Sequence, residues 1–90
     1  MSFTVLQLPT FSDTRGYLTV LENILPFNIA RIFWIYGADA QTRGGHRHHK
    51  TRQALISING NVSIYMNDGL QQETINLTHP GSCLIVEPKD

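Results

Sequence analysis

Turn signals cut the second half of this chain into short segments, and that punctuation is what most constrains its fold. Asn59-Gly60 separates residues 54–58 from residues 62–66, Asn67-Asp68-Gly69 separates those from residues 70–77, and Pro80-Gly81 precedes Ser82–Val86. Asn-Gly is a strong two-residue hairpin signal because both central positions of a type I′ turn need positive φ. Between the turns the apolar period is two: Val62, Ile64 and Met66 share one face of an extended strand, and Ser63 and Tyr65 share the other. Upstream, Val20-Leu21 and Ile32-Phe33-Trp34-Ile35-Tyr36 have the β-branched and aromatic content of strands. No stretch of ten residues has helical periodicity, and the four prolines fall at ends and edges. These signals predict an all-β, antiparallel fold closed into a barrel or sandwich that protects its edges.

Ninety residues make one domain, spanning 1–90, and one this small buries only roughly two-thirds of its unfolded surface. A hydrophobic content of 41% excludes a disordered tail, and the apolar runs are too short to span a bilayer. Lone Cys83, within Cys83-Leu84-Ile85-Val86, reads as a small buried hydrophobe. The start, Met1-Ser2-Phe3-Thr4-Val5, lacks the regions of a signal peptide, so the expected location is the cytoplasm.

Seven basic and seven acidic residues cancel, but not locally. Arg43, Arg47, Lys50 and Arg52 fall within ten residues that hold no acid, which leaves three cations against seven acids elsewhere. His46, His48 and His49 lie in the same window. With no aromatic residues interleaved for stacking, the window does not suit nucleic acid. If residues 45–49 are extended, His46 and His48 project together and His49 projects the opposite way. Such a pair can bind a metal or act as acid and base, because imidazole titrates near neutral pH. Gly44-Gly45 allows a close backbone approach to a ligand or a bulge at a barrel mouth. Arg47, Lys50 and Arg52 fit a solvated face as well as phosphate attraction, and Phe33, Trp34 and Tyr36 are expected in the core. His79, in a turn before Pro80, is expected at the surface.

The window continues into Gln53 and Gly60: His-x-His, four residues, Gln, six residues, Gly. That spacing resembles the first motif of the cupin superfamily, in which Glu usually stands where Gln53 does here. Asp13-Thr14-Arg15-Gly16-Tyr17-Leu18, residues 26–33, Arg43-Gly44-Gly45-His46-Arg47-His48 and Gln53-Ala54-Leu55 resemble one branch, the sugar 3,4-ketoisomerases of the FdtA, QdtA and WxcM-like type. The resemblance runs from about Asp13 to Pro88. It implies a jelly-roll β-barrel, incomplete at its C-terminal end because relatives continue through an aromatic-His segment and further strands. It also implies a homodimer in which N-terminal strands contribute to the partner.

The implied reaction is the 3,4-ketoisomerisation of a dTDP-4-keto-6-deoxyhexose through an enediol, with no metal or other cofactor. His46 and His48 would be the acid and base, in either order. Arg43 suits a diphosphate or an enediolate oxygen, and Arg15 and Arg31 are further diphosphate candidates. Arg15, before Gly16, equally suits a turn. The Gln53 amide can hydrogen-bond a histidine or a sugar hydroxyl but is a poorer metal ligand than a carboxylate, which favours acid–base chemistry. Tyr65, like Tyr17, carries a ring for a base or sugar, or for packing. Trp34 stands where relatives often carry Tyr, so a hydroxyl role there is lost. The competing readings are a non-catalytic nucleotide-sugar-binding cupin and a metal-dependent cupin enzyme using His46, His48 and a third ligand.

Overall fold

The structure, a computed structural model, describes residues 3–37, 52–67 and 69–87. These contain seven strands and no helix: β1 (Phe3–Gln7), β2 (Thr10–Asp13), β3 (Gly16–Thr19), β4 (Gln53–Leu55), β5 (Val62–Asn67), β6 (Gln72–Leu77) and β7 (Ser82–Val86). All pairings are antiparallel: β7 lies between β1 and β4, β2 pairs with β3, and β5 pairs with β6. Among the described residues the three sheets do not join into a closed barrel.

The core is centred on β7, whose apolar run is buried on both faces, as expected of a central strand. Ile85 and Cys83 pack with Leu8, and Leu6, Ile24, Leu25, Phe27, Ala54 and Ile56 pack around them. On the other face Leu84 is fully buried; Leu77, at the end of β6, is 2% exposed. Cys83 is the buried hydrophobe its context predicts, and burial pushes its thiol pKa up.

The turn after β5 forms as read. Gly69 has φ of 93°, and its N–H donates to Asn67 Oδ1 at 2.8 Å. Across the hairpin, Val62 opposes Leu77 and Ile64 opposes Ile75; on this period-two face Leu77 is buried and Ile64, Met66 and Ile75 are half-buried, while Val62 at its end is exposed. On the outer face the Ser63 hydroxyl donates to Asn76 Oδ1 at 2.7 Å. The final strand also falls where expected. Its turn is tied by the Gly81 N–H, which donates to His79 Nδ1 at 3.1 Å; His79 itself is exposed.

Three expectations fail. Asn59-Gly60 does reverse the chain: Gly60 has φ of 84°, and the Ser57 hydroxyl donates to the Gly60 carbonyl at 3.0 Å. The flanking strands do not pair with each other, however; β4 joins β7 and β5 joins β6. Pairing with the apolar β7 buries more of β4 than an isolated hairpin would, so the turn becomes a corner between two sheets. Residues 20–21 and 32–36 form no strand, because β-propensity without a ladder partner gives no stable pairing. Accordingly Phe33, Trp34 and Tyr36 are exposed, Trp34 by 70%, rather than in the core.

Candidate functional site

Gln53 opens β4 and sits in register with Val86 of β7, which in turn faces Phe3 of β1. Because residues two apart share a face, Gln53 lies on the side of the sheet that carries Leu55, Leu84, Val5 and Phe3. The other side carries Ala54, Ile85 and Cys83 and is covered by the segment through Ile24, Leu25 and Phe27. Gln53, itself half-buried, is therefore the one polar side chain of β4, and it lies on the face opposite Ala54 and Ile85. Arg43, His46 and His48 lie outside the described residues, as do His49, Arg47 and Lys50. Among the described residues, no three metal-binding side chains converge.

Arg52, one residue before Gln53, turns to the covered side. Its Nε and Nη2 donate to the two carboxylate oxygens of Glu87 at 2.8 and 2.9 Å, and its Nη1 donates to the Pro26 carbonyl at 2.8 Å. The guanidinium carbon stands 5.4 Å from the centre of the Phe27 ring. The Glu87 carboxylate raises the Arg52 pKa above its already high ordinary value. Arg52, expected on a solvated face or at a phosphate, is instead paired with Glu87, so one of the four cations of the basic window is neutralised internally.

The other candidates are dispersed. Arg15 sits at the tip of the β2–β3 hairpin, where its Nε and Nη2 donate to Asp13 Oδ2 at 3.1 and 2.6 Å. Its backbone N–H donates to Asp13 Oδ1 at 2.8 Å, which holds the turn that Gly16 closes with φ of 128°. These bonds from Arg15 hold the Asp13 carboxyl pKa below its usual range. Arg31 is exposed and has no ion pair among the described residues. Tyr65 points to the outer face of the β5–β6 hairpin, opposite half-buried Ile64 and Met66, and its hydroxyl accepts from Asn67 Nδ2 at 3.2 Å. Among the described residues Arg15, Tyr65 and Gln53 are not gathered into one place: there β2–β3 contacts no other strand, and β5 contacts only β6.

Two cavities flank the sheet. An open groove of about 350 Å³ is lined by Leu8, Tyr17, Thr19, Leu21, Ile56, Ile58 and Pro80. A second, of about 290 Å³, is formed within residues 21–29. Neither is lined by Gln53, Arg15, Arg31 or Tyr65.

With this geometry in view, comparison with known proteins is decisive about ancestry. The family model FdtA: WxcM-like, C-terminal, matches residues 1–89. The chain belongs to this family. A TDP-4-oxo-6-deoxy-alpha-D-glucose-3,4-oxoisomerase from Aneurinibacillus thermoaerophilus is 32% identical over 91 residues, covering 98% of this chain and 66% of the relative. A 3,4-ketoisomerase from Helicobacter canadensis superposes with a TM-score of 0.90 at 35% identity, covering 98% of this chain and 68% of that one. A variant of the 3,4-ketoisomerase QdtA from Thermoanaerobacterium thermosaccharolyticum, in complex with TDP-4-keto-6-deoxyglucose, gives 0.89 at 31% identity over 96% of this chain and 64% of its own. The fold is therefore the all-β, cupin-like one expected of the FdtA family. The chain spans 66% of the length of the curated relative it matches.

The sequence reading missed the Arg52–Glu87 pair. The two residues are one step beyond Gln53 and Val86 in the antiparallel register, so the signal exists once β4 is known to pair with β7. Thirty-five residues of separation and the hairpin signal at Asn59-Gly60 hide that pairing.

Proposed function

We propose that this FdtA-family protein is a nucleotide-sugar isomerase that carries out 3,4-ketoisomerisation of a dTDP-4-keto-6-deoxyhexose. The observation that carries the reading is likeness over 96% of the chain to a 3,4-ketoisomerase in complex with TDP-4-keto-6-deoxyglucose. The C4 carbonyl acidifies the hydrogen at C3. One imidazole of the His46/His48 pair removes it, and the electron pair forms the C3–C4 double bond of an enediol. The proton on the C3 oxygen leaves as the carbonyl forms there, and a proton is delivered to C4 by the other group. The C4 oxygen takes up a proton as the enediol forms and keeps it, so two protons leave C3 and its oxygen, two arrive at C4 and its oxygen, and no external oxidant or reductant is needed.

Gln53, on the Leu84 face of the central sheet, would hydrogen-bond a sugar hydroxyl or orient a histidine. Arg43 would meet the diphosphate or the enediolate oxygen, and Arg31, unpaired among the described residues, is free to meet a diphosphate. Arg15 and Tyr65 complete the substrate-binding set.

The substrate-binding role of Arg15 needs a second chain. The β2–β3 hairpin that bears it leaves Phe11 and Leu18 exposed by 61% and 62% and, among the described residues, contacts no other strand. Exposed apolar side chains of that size mark an interaction surface. A homodimer that exchanges this hairpin would cover them and carry Arg15 to the neighbouring subunit. β1, by contrast, pairs with β7 of its own chain, which supports β2–β3 as the element to be exchanged. The lone buried Cys83 suits the reducing cytoplasm.

The test is turnover of dTDP-4-keto-6-deoxyglucose followed by NMR. The wild type is expected to give the 3-keto sugar, and His46→Asn or His48→Asn to lower kcat by about 100-fold or more. Full activity in both variants refutes the histidine assignment. Thermal stabilisation by dTDP-sugar without product would instead identify a binding protein.

A further inference from the structure

We infer that Arg52 is a positioning residue for Gln53, locking the end of the strand from which that amide is presented. The inference rests on the ketoisomerase reading of Gln53 and deepens it. β4 has only three residues and pairs on one edge with β7; among the described residues its other edge has no strand partner. Gln53 is the first of the three, where a short strand frays most readily. Arg52 removes that freedom. Its pair with Glu87 adds a rung to the ladder immediately beyond Gln53 and Val86. The Pro26 carbonyl and the Phe27 ring hold the same guanidinium against a separate segment of chain. Nε, Nη1 and Nη2 are each engaged, and the planar fork holds a fixed orientation that an ammonium cannot reproduce.

The faces separate the roles. Arg52 lies on the covered side with Phe27, and Gln53 lies on the opposite side. Arg52 therefore acts on ligand through the backbone of β4 and not by contact. The chain spends one cation of its basic window on geometry instead of on diphosphate attraction.

A double-mutant cycle with Arg52→Lys, Gln53→Ala and the combined variant tests this, using turnover of dTDP-4-keto-6-deoxyglucose and calorimetric binding of TDP. Arg52→Lys keeps charge and stem but loses the fork. It is expected to lower kcat roughly tenfold with KM nearly unchanged, within the hundredfold that an ångström-scale misplacement can cost. The combined variant is expected to be no slower than Gln53→Ala alone. Losses that multiply would show that Arg52 acts independently of Gln53 and overturn the inference. So would a salt dependence of TDP binding that falls when the charge is removed in Arg52→Gln, because that marks direct phosphate contact.

A wild type without turnover refutes the ketoisomerase reading, and a ligand-free measurement then still decides the positioning. In 1H–15N spectra the Gln53 side-chain amide pair is expected to shift or broaden in Arg52→Lys, while those of Asn67 and Asn76 stay in place. An unmoved Gln53 pair overturns the inference. Glu87→Gln weakens the same rung from the other strand and is expected to give the same pattern, which covers the case in which Arg52→Lys does not fold.

Discussion

Truncating Leu84 and Ile85 to alanine, one at a time, separates the two faces of β7. The residues are adjacent, 0% and 2% exposed, and face opposite sides of the sheet. Each substitution removes three carbons, worth about 2.4 kcal/mol at about 0.8 kcal/mol per buried methylene. The residual cavity brings the expected cost to about 3 kcal/mol for either variant. In a domain of this size that lowers Tm by roughly 12–24 °C, at about 4–8 °C per kcal/mol. Stability alone does not distinguish the faces, but ligand does. Leu84 shares its face with Gln53, whereas Ile85 packs with Leu8. Below the melting transition, TDP affinity measured by calorimetry is expected to fall in Leu84→Ala and to stay near wild type in Ile85→Ala. Equal loss in both variants, or loss confined to Ile85→Ala, would refute the assignment of the ligand to the Gln53 face. A Tm change of only a few degrees in either variant would refute the burial argument itself.

Asp13 is expected to titrate below about 3.9, the ordinary aspartate value, in a 13C carboxyl NMR titration, because Arg15 donates to it. Its depressed folded value means the hairpin-tip contribution is fully present above the ordinary value and is lost as pH falls through the folded one. Asp13→Asn should therefore flatten the acid limb of the stability curve, and a midpoint at or above the ordinary value would contradict the bonds seen. Leu18→Glu places a charge on the exposed apolar face of the β2–β3 hairpin. Light scattering is expected to show the mass of two chains for the wild type and of one for the variant; an unaltered dimer would exclude exchange of this hairpin.

Much of this was readable before any coordinates. The hairpin at Asn67-Asp68-Gly69, the final strand and the buried cysteine all follow from local turn chemistry and period-two patterning, which act within a few residues. The spacing from His46 through Gln53 to Gly60 pointed to the family that the comparison then supplied. Long-range pairing was not readable. Asn59-Gly60 specifies a reversal of the chain but not which strand lies beside β4. The aromatic run at 32–36 shows the same limit, since propensity alone cannot supply a ladder partner.

What the sequence determined by itself, then, was the all-β class, the ancestry and the residues to suspect, because those depend on local spacing and composition. Only the tertiary structure decided which face of the sheet each residue occupies. It placed Gln53 on the same face as Leu84, tied Arg15 to its own turn and gave Arg52 to Glu87. The physical reason is that a guanidinium has the same charge everywhere in a sequence. Whether it meets phosphate or a neighbouring carboxylate depends on which strand lies opposite, and in this chain the burial of β7 makes that choice.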